Sequence, residues 1–194
     1  MILGMDVVLA SGSPRRQHLL CELVEDFEIF LPEVDEEALT RPDPQETAEI
    51  LAQAKAEFVL KSRPDCFVIG GDTVVALPKD DGTYQQLSKP ANKKDAEKML
   101  ALLSGKTHLV ITGVCFAWKN NLKVFSETSK VTFRTLESAE IKAYVATGEP
   151  MDKAGAYACQ GGAKKFIENV EGSLSNVVGL PLERSQREIE ELEK

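Results

Sequence analysis

Val7-Val8-Leu9-Ala10-Ser11-Gly12-Ser13-Pro14-Arg15-Arg16 is the stretch from which the fold can be read. Its four apolar residues predict a short buried strand, and Ser11-Gly12-Ser13-Pro14 turns the chain into a helix. Ser13 suits the N-cap and Pro14 the first helical position, where a missing N–H costs nothing. A strand running straight into a capped helix opens an α/β unit. The residues beyond continue the alternation.

Leu19, Leu20, Leu23 and Val24 carry the apolar face of this first helix, and Phe27–Phe30 reads as a second strand. Pro32, Pro42 and Pro44 bracket an acidic loop. Ile50, Leu51, Ala54, Phe58 and Val59 are spaced for an amphipathic helix over Gln45–Lys61, ended by Arg63-Pro64. Phe67–Leu77 is strand-like, and Asp80-Asp81-Gly82 predicts a hairpin turn into Tyr84–Leu87. Asn92 caps a helix to Leu103, stopped near Gly105. Two β-rich runs, His108–Lys119 and Leu122–Thr135, meet at Asn120-Asn121. Ser138–Thr147 is helical, Asp152–Gly162 is rich in glycine and alanine, and a charged helix follows Pro181. Isolated strands, hairpins and helices together predict an α/β protein with a mixed sheet, residues 1–194 forming one domain without repeats or linkers.

The bulk numbers limit the partners. A chain of 194 residues with 43% hydrophobic content can bury one sizeable core. Its net charge of -8 argues against nucleic acid as the main partner, while leaving a small anion bound by a few focused cations. Cys21, Cys66, Cys115 and Cys159 form no CxxC pair and read as reduced core thiols. No apolar run approaches the ~20 residues that span a bilayer, and the N-terminus has no basic leader, so a cytoplasmic, non-membrane protein is expected.

Four segments can carry chemistry. The Ser11–Arg16 turn aims free N–H groups and a helix N-terminus at one point, beside guanidinium forks that can hold phosphate oxygens. In Val68–Val75, Asp72 is a carboxylate inside an apolar strand after two glycines, a place that calls for metal, a cation or hydrogen bonds. The bland alternative is an Asp exposed at a bulge made by Gly70-Gly71. Lys55, Lys89 and the acidic run Val34-Asp35-Glu36-Glu37 are what a triphosphate and a hard divalent ion, Mg²⁺ or Mn²⁺, would require. Each is a weak signal alone, since most such residues are merely solvated. In Asp152–Gly162, small side chains permit close backbone approach and Gln160 can offer donor and acceptor to a base edge. Other chemistries fail on spacing: Ser104-Gly105-Lys106-Thr107 ends like a P-loop, but Leu100 stands where its first glycine should be. His18 and His108 are the only histidines, and no GxSxG supports a serine hydrolase. Arg187-Glu188-Ile189-Glu190-Glu191 lacks the acids and spacing of a Nudix helix.

Leu9–Arg16, Gly70–Val75, Ser88–Pro90, Leu103–Val114, Asp152–Gly162 and Gly172–Leu182 resemble, in order and spacing, the corresponding segments of Maf proteins. The resemblance covers nearly the whole chain. It implies an elongated α/β fold similar to inosine-triphosphate pyrophosphatases, a mixed sheet flanked by helices with two lobes around a central cleft. It also implies metal-dependent hydrolysis of a nucleoside triphosphate at the α-phosphorus, giving monophosphate and pyrophosphate. On matching positions, Asp72 looks like the general base and a metal ligand. Ser11, Arg16, Glu36, Lys55 and Lys89 look like phosphate or metal-site residues, with Asp35 and Glu37 as alternatives to Glu36. Arg15, Thr73 and Gln160 resemble the combination of the subgroup acting on dTTP and UTP; the subgroup acting on 7-methylguanosine triphosphate would carry Trp, Gln and Glu there. This chain departs from the family's usual pattern in having Gly71 where Ala is common. The expected partner is a nucleotide, with a homodimer the commonest oligomer. A nucleotide-binding regulator of septum formation without turnover, and a pyrophosphatase for modified nucleotides, are the rival readings.

Overall fold

The computed structural model describes residues 1–194. Its strands are β1 (Val7–Ala10), β2 (Glu28–Phe30), β3 (Phe67–Pro78), β4 (Tyr84–Leu87), β5 (Thr107–Trp118), β6 (Asn121–Phe133) and β7 (Ile167–Glu171). The helices are α1 (Pro14–Leu20), α2 (Glu36–Leu39), α3 (Pro44–Leu60), α4 (Lys93–Leu103), α5 (Ser138–Ala146), α6 (Leu174–Val178) and α7 (Leu182–Leu192). One mixed sheet runs β2-β1-β3-β5-β6-β7, with β4 also on β3. β1 is parallel to β2 and β3, and the remaining pairs are antiparallel. The expected α/β class and mixed sheet are therefore present. No helix is long and apolar enough to cross a membrane.

The two faces of the sheet are packed differently, and strand alternation decides which residue goes where. Val7 and Leu9 of β1, Phe67 and Ile69 of β3, and Phe116 of β5 join the main core with Leu20, Leu100 and Leu103 from α1 and α4. Val8 and Ala10 of β1, Val68 of β3, and Cys115 and Ala117 of β5 face α3 through Ala52, Ala56 and Val59. Large side chains fill one face; small ones let α3 lie close on the other. That closeness needs glycine. A Cβ on Gly70 or on Gly113 would come within 2.2 Å of a carbonyl oxygen of α3, of Ala52 and Ala48 respectively.

β3 is the axis of the molecule. Along one edge it pairs with β5 continuously from Val68 to Ala76. Along the other it pairs with β1 only as far as Gly70 and with β4 only from Val75. Gly71–Val74 therefore have no strand beside them on that edge, and the opening lies at the carboxyl end of β1. The strand order 2-1-3 makes this the switch point where α/β sheets place ligand crevices.

Several expectations need correction. The acidic stretch is not all loop, because Asp35 caps the short α2 by accepting from the Ala38 N–H at 3.1 Å. Gly70-Gly71 make no bulge; the β3–β5 register runs through them without a slip. All four thiols are free, but only Cys115 and Cys159 are buried; Cys66 is half-buried and Cys21 exposed. β7 and α6 lie where the sequence predicted no element.

Candidate active site

Alternation along β3 sends Asp72 and Thr73 to opposite faces of the sheet, and the missing edge partner opens both to one cleft of about 400 Å³. Asp72 shares the α3 face with Gly70. There Lys55, one turn after Ala52 on the same helical stripe, puts its ammonium 2.6 Å from Asp72 Oδ1 and 2.6 Å from Glu36 Oε1. A charge thus stands within the sheet-facing stripe of α3 where the sheet opens. Glu36 sits in the first turn of α2 and reaches the cleft; Asp35 is occupied in capping, and exposed Glu37 does not line the cleft. Burial alone would push the Glu36 carboxyl up, but the hydrogen bond and charge of Lys55, with Lys89 and Arg16 behind it, outweigh this and hold it below the ordinary range.

Thr73 faces α1. Its hydroxyl lies 2.9 Å from that of Thr112 and accepts from Arg16 Nη2 at 3.2 Å. Arg16 also donates from Nη1 to Ser11 Oγ at 2.6 Å and from Nε to the Gly179 carbonyl at 2.8 Å. One buried guanidinium thereby joins the β1–α1 turn, β3 and the end of α6. No carboxylate lies within ion-pair distance of it. Burial lowers its pKa against the opposing pull of Asp72, yet an arginine at this site stays charged. A buried cation matched only to neutral acceptors is an incentive for an anion to enter. Gly71 makes the room: a Cβ there would stand 2.8 Å from Arg16 Nε, so the exchange of alanine for glycine bears directly on how this arginine sits.

Ser11, Arg15, Arg16, Glu36, Lys55, Asp72, Thr73 and Lys89, scattered over the first half of the chain, all line this cleft. Lys89 lies in an exposed loop tied back by the Gly155 N–H, which donates to the Ser88 carbonyl at 3.2 Å. Gln160 is not brought there; it is exposed and outside the lining. Lys153 and Tyr157 line the cleft without having been singled out from the sequence. The signal available was a lysine and an aromatic ring in an otherwise small-residue run. Lys153 is buried and donates to the Glu149 carbonyl at 2.7 Å and to Asp152 Oδ1 at 2.6 Å. Asn176 had no such signal. It is fully buried behind the cleft, accepting from the Thr112 N–H and donating to the Val110 carbonyl and Ser129 Oγ, and so fixes α6 on the sheet.

The lining carries Arg15, Arg16, Lys55, Lys89 and Lys153 against Glu36, Asp72 and Asp152, a local positive excess in a chain of net charge -8. Cations focused in a concave site outweigh a diffuse opposite field at short range. The carboxylates that could hold a metal together are Glu36 and Asp72, which share Lys55, and no group of three or more His, Cys, Asp or Glu residues could cage one. Two hard oxygen donors fit Mg²⁺ or Mn²⁺, which take one or two carboxylates and leave positions for substrate phosphates.

Proteins similar to this chain are known both by sequence and by structure. A dTTP/UTP pyrophosphatase of Geobacillus sp. (strain WCH70) is 44% identical over 188 residues, covering 96% of this chain and 97% of the relative. One of Bacillus anthracis (strain CDC 684 / NRRL 3495) is 43% identical over 187 residues, covering 95% and 94%. The solved structure of the Staphylococcus aureus Ham1 protein aligns with a TM-score of 0.43 at 15% identity, over 66% of this chain and 71% of that one. The family profile described as Maf-like protein matches residues 6–192, and the chain belongs to that family.

Proposed function

We propose that this protein hydrolyses nucleoside triphosphates, dTTP and UTP first among them, to the nucleoside monophosphate and pyrophosphate. The observation that carries the reading is a cleft in which five cations surround two lysine-bridged carboxylates, Asp72 and Glu36, at the open edge of β3. Residues 1–194 work as one unit, and a cytoplasmic location belongs to the same reading.

Arg15, Lys89 and the N–H groups of Ser11 and Gly12 bind the triphosphate, the Ser13 N–H donating to Ser11 Oγ within the turn, and Arg16 holds that turn against β3 while adding its own charge. Asp72 orients a water in line with the α-phosphorus and takes its proton. The water oxygen bonds to the α-phosphorus as the α–β bridging bond breaks, and the electron pair leaves on pyrophosphate. Glu36 and Asp72 would hold a divalent ion, which when bound acidifies water and offsets phosphate charge. Lys55, shared by the two carboxylates, is free to follow the charge onto a phosphate oxygen. Fixed charges aimed at phosphoryl oxygens are the main source of catalysis in such reactions.

The test is pyrophosphate release from dTTP, UTP, CTP, GTP, ATP, ITP and 7-methyl-GTP with Mg²⁺ or Mn²⁺. Release from dTTP and UTP is the expected result. Nucleotide binding without release would move the protein to the regulators, and a preference for 7-methyl-GTP to the modified-nucleotide enzymes.

A further inference from the structure

Part of the cleft wall is apolar, formed by Val75, Val110, Ala154, Tyr157, Val177 and Val178. Within it Tyr157 is placed by unusual means. The two residues before it both have left-handed backbone, Gly155 at φ 67° and Ala156 at φ 60°. For alanine this conformation is costly and persists only where the surroundings impose it. A Cβ on Gly155 would come within 2.9 Å of Val75 Cγ1, so the turn is pressed against β3 as it swings Tyr157 round.

The far end of the ring is tethered. Tyr157 Oη lies 2.7 Å from His108 Nε2, and His108 is fully buried, edge-on to both Tyr157 and Phe133. His108 Nδ1 has no partner at all. A fully buried imidazole with one nitrogen orphaned is a poor core residue, since an apolar side chain there would spare the cost of an unsatisfied polar atom. Burial pushes its pKa down to about 4, so at neutral pH it stands as an uncharged partner for the phenol. Tyr157 lines the cleft at 6% exposure, its ring backed by His108 and Phe133, and with the hydroxyl spent on His108 it has no free donor to offer a phosphate, so the small surface it contributes suits a flat heterocycle.

We propose that Tyr157 is the wall against which the nucleobase packs, and that His108 is the positioning residue that holds it there. This rests on the pyrophosphatase reading above and assigns the base a contact within the lining, where Gln160 does not stand. Aromatic stacking on a base tolerates any base identity, so the wall contributes affinity for nucleotides as a class.

The experiment compares KM for dTTP and UTP with inhibition by tripolyphosphate, which has the phosphates and no base, in Tyr157→Leu, His108→Leu and His108→Gln, with thermal unfolding measured on each. Tyr157→Leu and His108→Leu should raise nucleotide KM by roughly tenfold, within the range for loss of a base–aromatic contact, and lower kcat less. Tripolyphosphate inhibition should hold, and His108→Gln, which keeps a polar nitrogen near the place of Nε2, should stay closer to wild type. Nucleotide KM and tripolyphosphate inhibition worsening together, or neither moving, would overturn the proposal. If the wild type releases no pyrophosphate, the reaction assigned above fails instead. Calorimetric binding of dTTP and tripolyphosphate to the same variants then decides Tyr157 by the same contrast.

Discussion

Asp72 and Arg16 both sit in the cleft but do different things, and their variants should separate. Asp72→Asn keeps the shape and a hydrogen bond to Lys55 while removing the carboxylate proposed as the base. It should lower kcat by at least ~10²-fold with a smaller change in KM, read from steady-state kinetics. Arg16→Lys keeps the charge but cannot reach Ser11 Oγ, Thr73 Oγ1 and the Gly179 carbonyl together. It should therefore lose both activity and thermal stability, where Asp72→Asn loses activity alone. Asp72 and Arg16 were legible in the sequence because a carboxylate in an apolar strand and an arginine after a capped turn are out of place locally. Lys55 and Glu36 were weak signals until the resemblance singled them out. Nothing in their own neighbourhoods distinguishes them from solvated charges; what does is the bridge across α2, α3 and β3, a tertiary fact.

Elements are held to one another at two points that can be tested directly. α3 rests on β3 and β5 through glycine, and Gly113→Ala would drive a methyl into the backbone of Ala48 and Glu49. Backbone cannot rotate aside as a side chain can, so a loss of about 3 kcal/mol, at the upper end of overpacking costs, is expected in chemical denaturation. Gly71→Ala is the contrast: its obstacle is the Arg16 side chain, and a smaller loss of stability with a measurable loss of activity should result. At the start of α5, Glu140 closes a capping box with Glu137 and takes both Arg134 nitrogens, at 3.0 and 2.6 Å. The Arg134 hydrogen bonds hold its pKa down at about 2. A carboxyl lowered in the folded state adds stability above its unfolded pKa, near 4.5, that disappears as pH falls toward 2. Glu140→Gln should be less stable at pH 7 and converge on wild type over that interval. β7 escaped the sequence reading because Ile-Glu-Asn-Val-Glu at the sheet edge is mostly solvated and lacks strict alternation, and α6 because five residues, held by buried Asn176 and Val178, are too few to show a helical period.

For the whole molecule, alternation of strand and helix was enough to predict an α/β protein, but not where β3 would lie. Its position between β1, β4 and β5 depends on long-range pairing, and the cleft exists because β1 ends at Gly70 and β4 begins at Val75. The same core sets the response to acid. His108, neutral and buried, takes up a proton near pH 6.5 when unfolded and only near 4 when folded. Stability from this group is full above pH 6.5 and falls as pH drops toward 4, by on the order of 3 kcal/mol. His108→Gln should flatten that limb in denaturation curves taken between pH 7 and 4. The most direct test of the central claim is hydrolysis of dTTP in H₂¹⁸O by wild type and Asp72→Asn, with products weighed by mass spectrometry. Label in the thymidine monophosphate, unlabelled pyrophosphate, and a variant slowed by at least ~10²-fold are what water activated by Asp72 at the α-phosphorus predicts. Label in orthophosphate or pyrophosphate, or undiminished turnover in the variant, would contradict it.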